Sequence, residues 1–224
     1  MSNCKYNIYI FDLDGTLLDT LQDLADSVNH ALLQYGMPTH TTDDVRRFVG
    51  NGVRRLMELA VPDGAKNPLF EAVFDSFRQY YMQHSLDTTH PYDGIPELIH
   101  ELKARGCQMA VVSNKMMAAT QELVRYFFPE IEVAIGEHEA AGIHKKPAPD
   151  TVYEALRQLG TTVVGGFPAD ITAVYIGDSD VDLATARNSG LPCISVLWGF
   201  RDRDFLVTHG ATTFVEHPMD ILKL

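Results

Sequence analysis

Short apolar runs alternate with amphipathic helical stretches along most of this 224-residue chain, and no other feature of the sequence limits the fold as strongly. The runs have the length of β-strands, and several are rich in the Val and Ile that suit strands buried on both faces. Strands that alternate with helices are typical of a parallel sheet covered by helices. The sequence therefore predicts an α/β fold with a doubly wound, Rossmann-like parallel sheet. The expected strands are residues 6–11, 107–112, 132–135, 171–176, 193–197 and 212–215.

One long segment breaks this alternation, because residues 17–92 show only helical patterns between the first strand and the second. Apolar side chains recur there at the spacing of a helix face, as in Leu21, Leu24 and Val28. We therefore expect no strand in this segment. The chain is predicted to form two domains, which are an α/β core of residues 1–16 and 93–224 and an inserted, all-helical domain of residues 17–92.

Charge and cysteine content exclude several classes of partner and compartment. The chain has 18 Lys and Arg against 30 Asp and Glu, a net charge of −12, so it repels polyanions and we expect no nucleic-acid partner. No apolar run approaches the about 18 residues of a transmembrane helix, so we expect no membrane partner. The three cysteines are odd in number and form no Cys-x-x-Cys pattern, which argues against a disulfide framework and against a zinc site. We therefore expect the protein in the reducing cytoplasm. We expect a monomer or a weak homodimer.

Two carboxylates follow the first predicted strand, in the segment Asp-Leu-Asp-Gly-Thr at residues 12–16. Ligands of open α/β sheets bind beyond the carboxyl ends of the strands, and side chains two positions apart share one face of an extended chain. Asp12 and Asp14 are therefore placed to enter a site. A plain turn or a fragment of a calcium-binding loop is the alternative, because Asp, Gly and Thr are common in turns.

Polar groups also follow two later strands. Ser113 and Asn114 come directly after the second strand, and Asp178 follows another in the segment Gly-Asp-Ser-Asp-Val-Asp at residues 177–182. Lys146 is the second of two lysines before a proline and a predicted helix. Parallel strands of one sheet bring their carboxyl ends together, so these groups are predicted to form one site. Taken singly, a Ser-Asn pair is often a helix cap, and a lysine pair is usually solvated.

Together these motifs resemble the haloacid dehalogenase-like hydrolase superfamily, in its phosphatase branch. The segment 12–16, the strand-end Ser113, Lys146 before a proline, and Gly-Asp at residues 177–178 followed by Asp182 match the family in order and in spacing. Within the superfamily the chain is most similar to the phosphoglycolate phosphatases. That similarity depends on Val-Gly-Asn-Gly-Val at residues 49–53 and Val-Leu-Trp-Gly-Phe at residues 196–200.

The resemblance implies a phosphatase that works through an aspartyl phosphate. Asp12 is the implied nucleophile, and Asp14 is the implied general acid and base. Mg²⁺ is the implied cofactor, held by Asp12, by Asp178 and by the backbone carbonyl of Asp14. Lys146 is implied to neutralise the remaining charge on the transferred group.

Further residues have implied supporting roles around this centre. Ser113 and Asn114 are implied to hold the oxygens of the phosphoryl group. Thr16 is grouped with these substrate-binding residues, and it is expected to hydrogen-bond Asp14 or to cap the segment that follows. Asp182 is expected to orient the lysine or the water around the metal, with an ordinary helix-surface aspartate as the alternative.

The inserted segment resembles the family's helical cap, which implies that it closes over the site and selects the organic part of the substrate. Gly50, Asn51 and Gly52 lie between two predicted helices, where backbone N–H groups can face an anion such as a carboxylate. An ordinary turn between helices explains the same residues equally well. Arg54 and Arg55 are candidates to assist, although an arginine pair in an exposed helix is usually solvated.

The expected function is the hydrolysis of a small phosphorylated metabolite, most simply 2-phosphoglycolate. Within the same superfamily the alternatives are a sugar-phosphate mutase like β-phosphoglucomutase, a pyrophosphatase and a nucleotidase. From a different class, a receiver-like signalling domain also accepts a phosphoryl group on a strand-end aspartate. The length of the chain, its helical insert and the second carboxylate at Asp14 argue against a receiver.

Overall fold

The computed structural model describes residues 4–139, 142–161 and 172–224, and the chain divides into two compact units. One unit comprises Met1–Leu18 and Pro91–Leu224, and the other comprises Asp19–His90. The described strands are β1 (Ile8–Phe11), β2 (Leu18–Asp19), β3 (His90–Pro91), β4 (Gln108–Met116), β5 (Val133–Glu137), β6 (Ala173–Gly177), β7 (Cys193–Val196) and β8 (Phe214–Val215). The described α-helices are α1 (Leu21–Gln34), α2 (Thr42–Phe48), α3 (Val53–Ala60), α4 (Phe70–His84), α5 (Ile95–Ala104), α6 (Met117–Phe127), α7 (Asp150–Gln158), α8 (Asp180–Ser189) and α9 (Arg203–Thr208), and 3₁₀ helices cover Gly64–Lys66 and Pro218–Lys223.

A six-stranded sheet forms the centre of the first unit. Its strand order is β5-β4-β1-β6-β7-β8, and every neighbouring pair is parallel. Within the sheet the chain passes from β1 to β4 and β5 on one side of β1, and then crosses to β6 on the other side. This arrangement confirms the predicted doubly wound α/β fold, and the crossing point lies beside β1, where such sheets bind their ligands.

Alternate side chains of β1 pack into two separate cores. Tyr9 and Phe11 belong to one apolar cluster, whose other members include residues of α5 and α6. Ile8 and Ile10 belong to a second cluster, which includes residues of α7 and α8. Successive side chains of a strand point to opposite faces, and all four residues of β1 are buried. The sheet is therefore covered on both faces, as the continuous apolar runs predict.

All six strands of the sheet differ from their predicted bounds by one to four residues at one or both ends, and two of these differences matter most. β4 ends at Met116 and not at residue 112, and its pairing with β5 shifts register between Val112 and Met116. Ser113 and Asn114 therefore lie within this strand, where the sequence predicted its end. β6 begins at Ala173, and Ile171, which was predicted as its first residue, lies outside the described residues.

The second unit is helical, and α1 packs against α4. A capping box begins α2, in which Thr41 and Asp44 exchange side-chain and backbone hydrogen bonds. The buried Asp23 of α1 accepts hydrogen bonds from the backbone N–H groups of Thr88 and Thr89. The expectation that residues 17–92 contain no strand is wrong at both ends, because β2 and β3 pair where the chain enters and leaves the unit. Among the described residues, no helix is long and apolar enough to cross a membrane.

Candidate active site

Three adjacent strands bring the predicted residues to one end of the sheet. The parallel register sets Phe11 of β1 beside Val111 of β4 and beside Ile176 of β6. Asp12 follows Phe11 directly, and its backbone N–H donates to the Ile176 carbonyl at 2.9 Å. Asp178 comes two residues after Ile176. The carboxylates predicted at two strand ends therefore lie at the same edge, as the sheet topology requires.

Lys146 joins two of the carboxylates. Its Nζ lies 2.7 Å from Asp12 Oδ1 and 2.8 Å from Asp182 Oδ1, and all three side chains are buried. Burial lowers the pKa of this lysine, but the charges of Asp12 and Asp182 outweigh it, so the net shift is upward and the ammonium stays protonated. Asp182 thus faces Lys146 and is not an exposed helix residue. Of the two lysines before the proline, Lys146 is the one that enters the site.

The side chain of Asn114 holds the backbone of Lys146 on both sides. Asn114 Oδ1 accepts from the Lys146 N–H at 2.8 Å, and Asn114 Nδ2 donates to the Lys146 carbonyl at 3.0 Å. The predicted contact of Asn114 with phosphoryl oxygens stays a prediction. An amide with its oxygen and one N–H committed to a neighbouring backbone fixes that segment in place, so Asn114 acts on the site through Lys146.

Three buried carboxylates concentrate negative charge in this site. Oxygens of Asp12, Asp178 and Asp182 all lie within 4.8 Å of one another. Burial and the charge of Asp182 raise the pKa of Asp178 to about 7. Burial, again followed by the charge of Asp182, raises the pKa of Asp12 well above its usual value, although Lys146 opposes the shift. One lysine does not balance this cluster, and a hard divalent cation fits it.

The hydrogen bonds of Asp182 indicate which carboxylates are suited to a cation. Its Oδ2 accepts from the backbone N–H groups of Asp178 and Ser179 and from the Ser179 hydroxyl, while its Oδ1 accepts from Lys146. Ser179 and Asp182 form the capping box that begins α8. Asp182 is therefore committed to the helix start and to Lys146, which leaves Asp12 and Asp178 as the better fit to a metal ion.

The loops that follow β1, β6 and β7 pack closely around Asp178. The Thr16 hydroxyl donates to Asp178 Oδ1 at 3.3 Å, so its partner differs from the predicted Asp14. The Phe200 N–H donates to Asp178 Oδ2 at 2.7 Å, and Trp198 Nε1 donates to the Thr16 carbonyl at 3.0 Å. A Cβ placed on Gly199 overlaps the carbonyl oxygen of Gly15 and the side chain of Asp178. Only glycine lets these three loops approach so closely.

Gly199→Ala is expected to lower kcat/KM by roughly 10²-fold, because the new methyl group displaces Asp178 and the loop that carries Asp14 by a few tenths of an ångström or more. Steady-state phosphate release and thermal unfolding measure the two consequences. Gly36→Ala is the control, since its Cβ meets nothing within 4 Å and only the left-handed backbone is strained. Near-normal activity of the Gly199 variant contradicts this packing.

Lys115 is a buried residue of this site that the sequence patterns did not predict. Its Nζ lies 2.7 Å from Asp14 Oδ1, and the Lys115 side chain is only 1% exposed. Ser113, two residues earlier, shares its face of β4, and the Ser113 hydroxyl accepts from the Lys115 N–H at 3.1 Å. The alternation of an extended strand was the available signal, but the strand was predicted to end before this point. Each of the two aspartates at residues 12 and 14 therefore has a buried lysine partner.

Of the predicted residues of the helical unit, Gly50, Asn51 and Gly52 lie between α2 and α3, whereas the two arginines lie in the first turn of α3. Gly50 and Gly52 have positive φ, and Gly52 is the N-cap of α3. Arg54 contacts Glu71 and Glu58, and Arg55 also contacts Glu58. Both arginine side chains are about half exposed, at 48% and 53%, so their ion pairs match the solvated alternative. The role of Gly50, Asn51 and Gly52 in binding stays a prediction.

Comparison with known proteins places the chain in a family. The family model of haloacid dehalogenase-like hydrolases matches residues 9–196. Phosphoglycolate phosphatase of Aquifex aeolicus (strain VF5) is 30% identical over 223 residues, covering 97% of this chain and 95% of the relative. Phosphoglycolate phosphatase of Caulobacter vibrioides is 33% identical, with coverage of 95% and 88%. N-acetylmuramic acid 6-phosphate phosphatase of Pseudomonas aeruginosa is 27% identical, with coverage of 100% and 96%.

Solved structures agree with this placement. A crystal structure of a proposed phosphoglycolate phosphatase from Lactobacillus delbrueckii subsp. bulgaricus superposes with a TM-score of 0.88 at 37% identity, covering 98% of both chains. A predicted phosphoglycolate phosphatase from Haemophilus somnus 129PT gives a TM-score of 0.85 at 26% identity, covering 97% of both chains. The protein thus belongs to the haloacid dehalogenase-like hydrolases and is a phosphatase of their phosphoglycolate phosphatase-like branch.

Proposed function

We propose that the protein is a Mg²⁺-dependent phosphatase that hydrolyses 2-phosphoglycolate through an aspartyl phosphate on Asp12. The observation that carries the proposal is the buried pair of Asp12 and Lys146, with Asp14 two residues along and held by Lys115. A carboxylate beside a fixed ammonium is a nucleophile that can approach a phosphate dianion. A receiver-like domain, the alternative from a different class, has no use for a second carboxylate at Asp14 or for the lysine that holds it, Lys115.

The first half of the reaction forms one bond and breaks one. The Asp12 carboxylate attacks phosphorus, the ester bond to the leaving oxygen breaks, and Asp14 gives that oxygen a proton. The Lys146 ammonium lies against the nucleophile and offsets the negative charge gathered there. Lys115 holds the Asp14 side chain in one orientation, so that its carboxyl group meets the leaving oxygen.

The second half regenerates the enzyme. Asp14, now ionised, accepts a proton from water as the water attacks the phosphorus of the aspartyl phosphate, which releases inorganic phosphate and frees Asp12. Asp12 and Asp178 would hold Mg²⁺ together with the carbonyl of Asp14. When bound, Mg²⁺ supplies positive charge that lets a phosphate dianion enter a site of clustered carboxylates.

The named relatives and the helical unit support a small substrate. Two curated relatives named phosphoglycolate phosphatase align over nearly the whole chain. We propose that residues 17–92 act as the cap, and that Gly50, Asn51 and Gly52 offer backbone N–H groups to the substrate carboxylate. The free thiols of Cys4, Cys107 and Cys193 support a reducing compartment, so we place the reaction in the cytoplasm.

A panel of phosphomonoesters tests the substrate. With Mg²⁺, we expect kcat/KM for 2-phosphoglycolate to exceed that for every other compound by about tenfold or more, because a single missing contact costs that much. The other compounds are N-acetylmuramic acid 6-phosphate, glucose 1-phosphate, glucose 6-phosphate, a nucleoside monophosphate and pyrophosphate. Released phosphate is measured with and without chelator.

The panel separates the reaction class from the substrate. Preference for another ester contradicts 2-phosphoglycolate but keeps the phosphatase, whereas isomerised hexose phosphate indicates a mutase. A stable phosphoprotein that forms without turnover contradicts the phosphatase itself. Activity that survives complete chelation contradicts the requirement for Mg²⁺.

A further inference from the structure

Tyr175 is a buried polar residue at the site to which the reaction so far gives no role. It lies in the middle of β6, three residues before Asp178, and it is fully buried. Its hydroxyl donates to Asp182 Oδ1 at 3.0 Å and accepts from Lys146 Nζ at 3.3 Å. The hydroxyl therefore contacts both the Lys146 ammonium, which is 29 positions away in sequence, and the Asp182 carboxylate that pairs with it.

The contacts of Lys146 match its donors one to one. A lysine ammonium carries three N–H donors and no acceptor. In this site Lys146 Nζ has three oxygen partners, which are Asp12 Oδ1 at 2.7 Å, Asp182 Oδ1 at 2.8 Å and the Tyr175 hydroxyl at 3.3 Å. An ammonium with three fixed acceptors cannot rotate or tilt without losing a bond. Tyr175 supplies the third of these acceptors.

Tyr175 also limits the movement of Asp182. The Oδ2 atom of Asp182 is committed to the start of α8, and its Oδ1 atom accepts from both Lys146 and Tyr175. The tyrosine hydroxyl thus fixes the oxygen that faces the lysine. Without this bond Asp182 Oδ1 keeps Lys146 as its donor but loses the tyrosine, so the oxygen that faces the lysine is held less firmly and the long lysine stem can move away from Asp12.

We infer that Tyr175 is a positioning residue of the phosphatase, which holds the Lys146 ammonium against Asp12 directly and through Asp182. The inference rests on the proposed function, because that proposal gives Lys146 its role beside the nucleophile. Tyr175 touches neither the substrate nor the reacting atoms in this scheme. Its contribution is to keep a charge in the place where the transition state needs it.

Tyr175→Phe is the test, because it removes the hydroxyl and keeps the ring in the core. We expect kcat to fall roughly tenfold while KM changes by less than about twofold, since a charge placed at the nucleophile acts on the transition state more than on the bound substrate. The inhibition constant of orthovanadate should rise by about the same factor as kcat/KM falls. A purely structural effect lowers the unfolding temperature and leaves these constants of the folded enzyme unchanged.

Tyr9→Phe is the matched control. Tyr9 is a buried tyrosine of the same sheet, but it lies on β1 in the core that is covered by α5 and α6. Its loss of a hydroxyl reproduces the change in the core without touching Lys146. We expect kcat and the orthovanadate constant of this variant to stay within about twofold of wild type. Equal losses in both variants overturn the inference.

A second variant tests the route through Asp182. Asp182→Asn alone should lower kcat, and adding Tyr175→Phe should then lower it by less than about threefold more, because residues of one network do not act independently. Full multiplication of the two separate effects overturns the shared role. The result does not depend on which phosphomonoester is the preferred substrate.

A spectroscopic measurement is independent of turnover. In protein labelled with ¹⁵N-lysine, the hydrogen-bonded protons on Lys146 Nζ should exchange slowly, and Tyr175→Phe should speed this exchange while Tyr9→Phe should not. Unchanged exchange in the Tyr175 variant overturns the inference. If wild type releases no phosphate from any ester, the proposed function fails, and the exchange measurement still decides whether Tyr175 holds Lys146.

Discussion

Asp12→Asn is expected to abolish turnover, with kcat lower by about 10⁴-fold or more, because an amide cannot attack phosphorus to form the aspartyl phosphate. The fold should survive. Burial and the charge of Asp182 already raise the pKa of Asp12 well above its usual value, so an ionised carboxylate is costly at this position in the absence of metal. Asparagine removes that charge, and Lys146 keeps Asp182 as a partner.

The unfolding temperature of metal-free Asp12→Asn should therefore equal or exceed that of wild type. Phosphate release and circular-dichroism melting measure the two effects on the same sample. Asp43→Asn is the control for the chemical change, since this aspartate lies on the surface of α2 with its side chain 79% exposed. Near-normal turnover of Asp12→Asn contradicts the nucleophile, and a large loss of stability contradicts the account of its electrostatics.

Sequence patterns could predict the residues that the backbone delivers by itself. Asp12 and Asp178 follow buried strands of one parallel sheet, and the carboxyl ends of adjacent strands meet wherever such a sheet forms. The capping box of Ser179 and Asp182 is also a local signal. These positions depend on strand order and on neighbours within a few residues, and both can be read along the chain.

Contacts made across the fold could not be predicted in the same way. Asn114 has the form of a strand-end cap in sequence, but its amide holds the backbone of Lys146, 32 positions later. Lys115 reaches Asp14 because β4 continues beyond its apolar run to Met116. Tyr175 has the form of one more core residue of a buried strand. Only the packed structure shows which polar atoms these side chains meet.

The two ends of the inserted domain show the same distinction between local signals and contacts made across the fold. Apolar spacing predicts the helices of residues 17–92, because each helix shows its buried face in its own sequence. The two-residue strands β2 and β3 are too short to leave a periodic pattern, and their pairing joins residues about 70 positions apart. Short pairings of this kind arise from the path of the chain and not from local preference.

Asp178→Asn is expected to remove high-affinity Mg²⁺ binding and to lower kcat/KM by about 10²-fold or more. The substitution keeps the shape of the side chain, so the amide oxygen can still accept from the Phe200 N–H. It removes one of the two carboxylates that best fit the cation. In wild type, Mg²⁺ at 100 times its dissociation constant should stabilise the fold by about 2.7 kcal/mol, because it binds only the folded state. The variant should lose this stabilisation.

Calorimetric Mg²⁺ titration and thermal unfolding with and without Mg²⁺ measure these effects without any substrate. Asp180→Asn is the matched control, since Asp180 lies two residues later in the first turn of α8 and outside the carboxylate cluster. Its Mg²⁺ affinity should stay within about threefold of wild type, because the carboxylate group of Asp180 is not part of the cluster that would hold the cation. If Asp178→Asn keeps the full Mg²⁺-induced stabilisation, the metal binds elsewhere, and the carboxylate cluster needs a different cation to balance its charge.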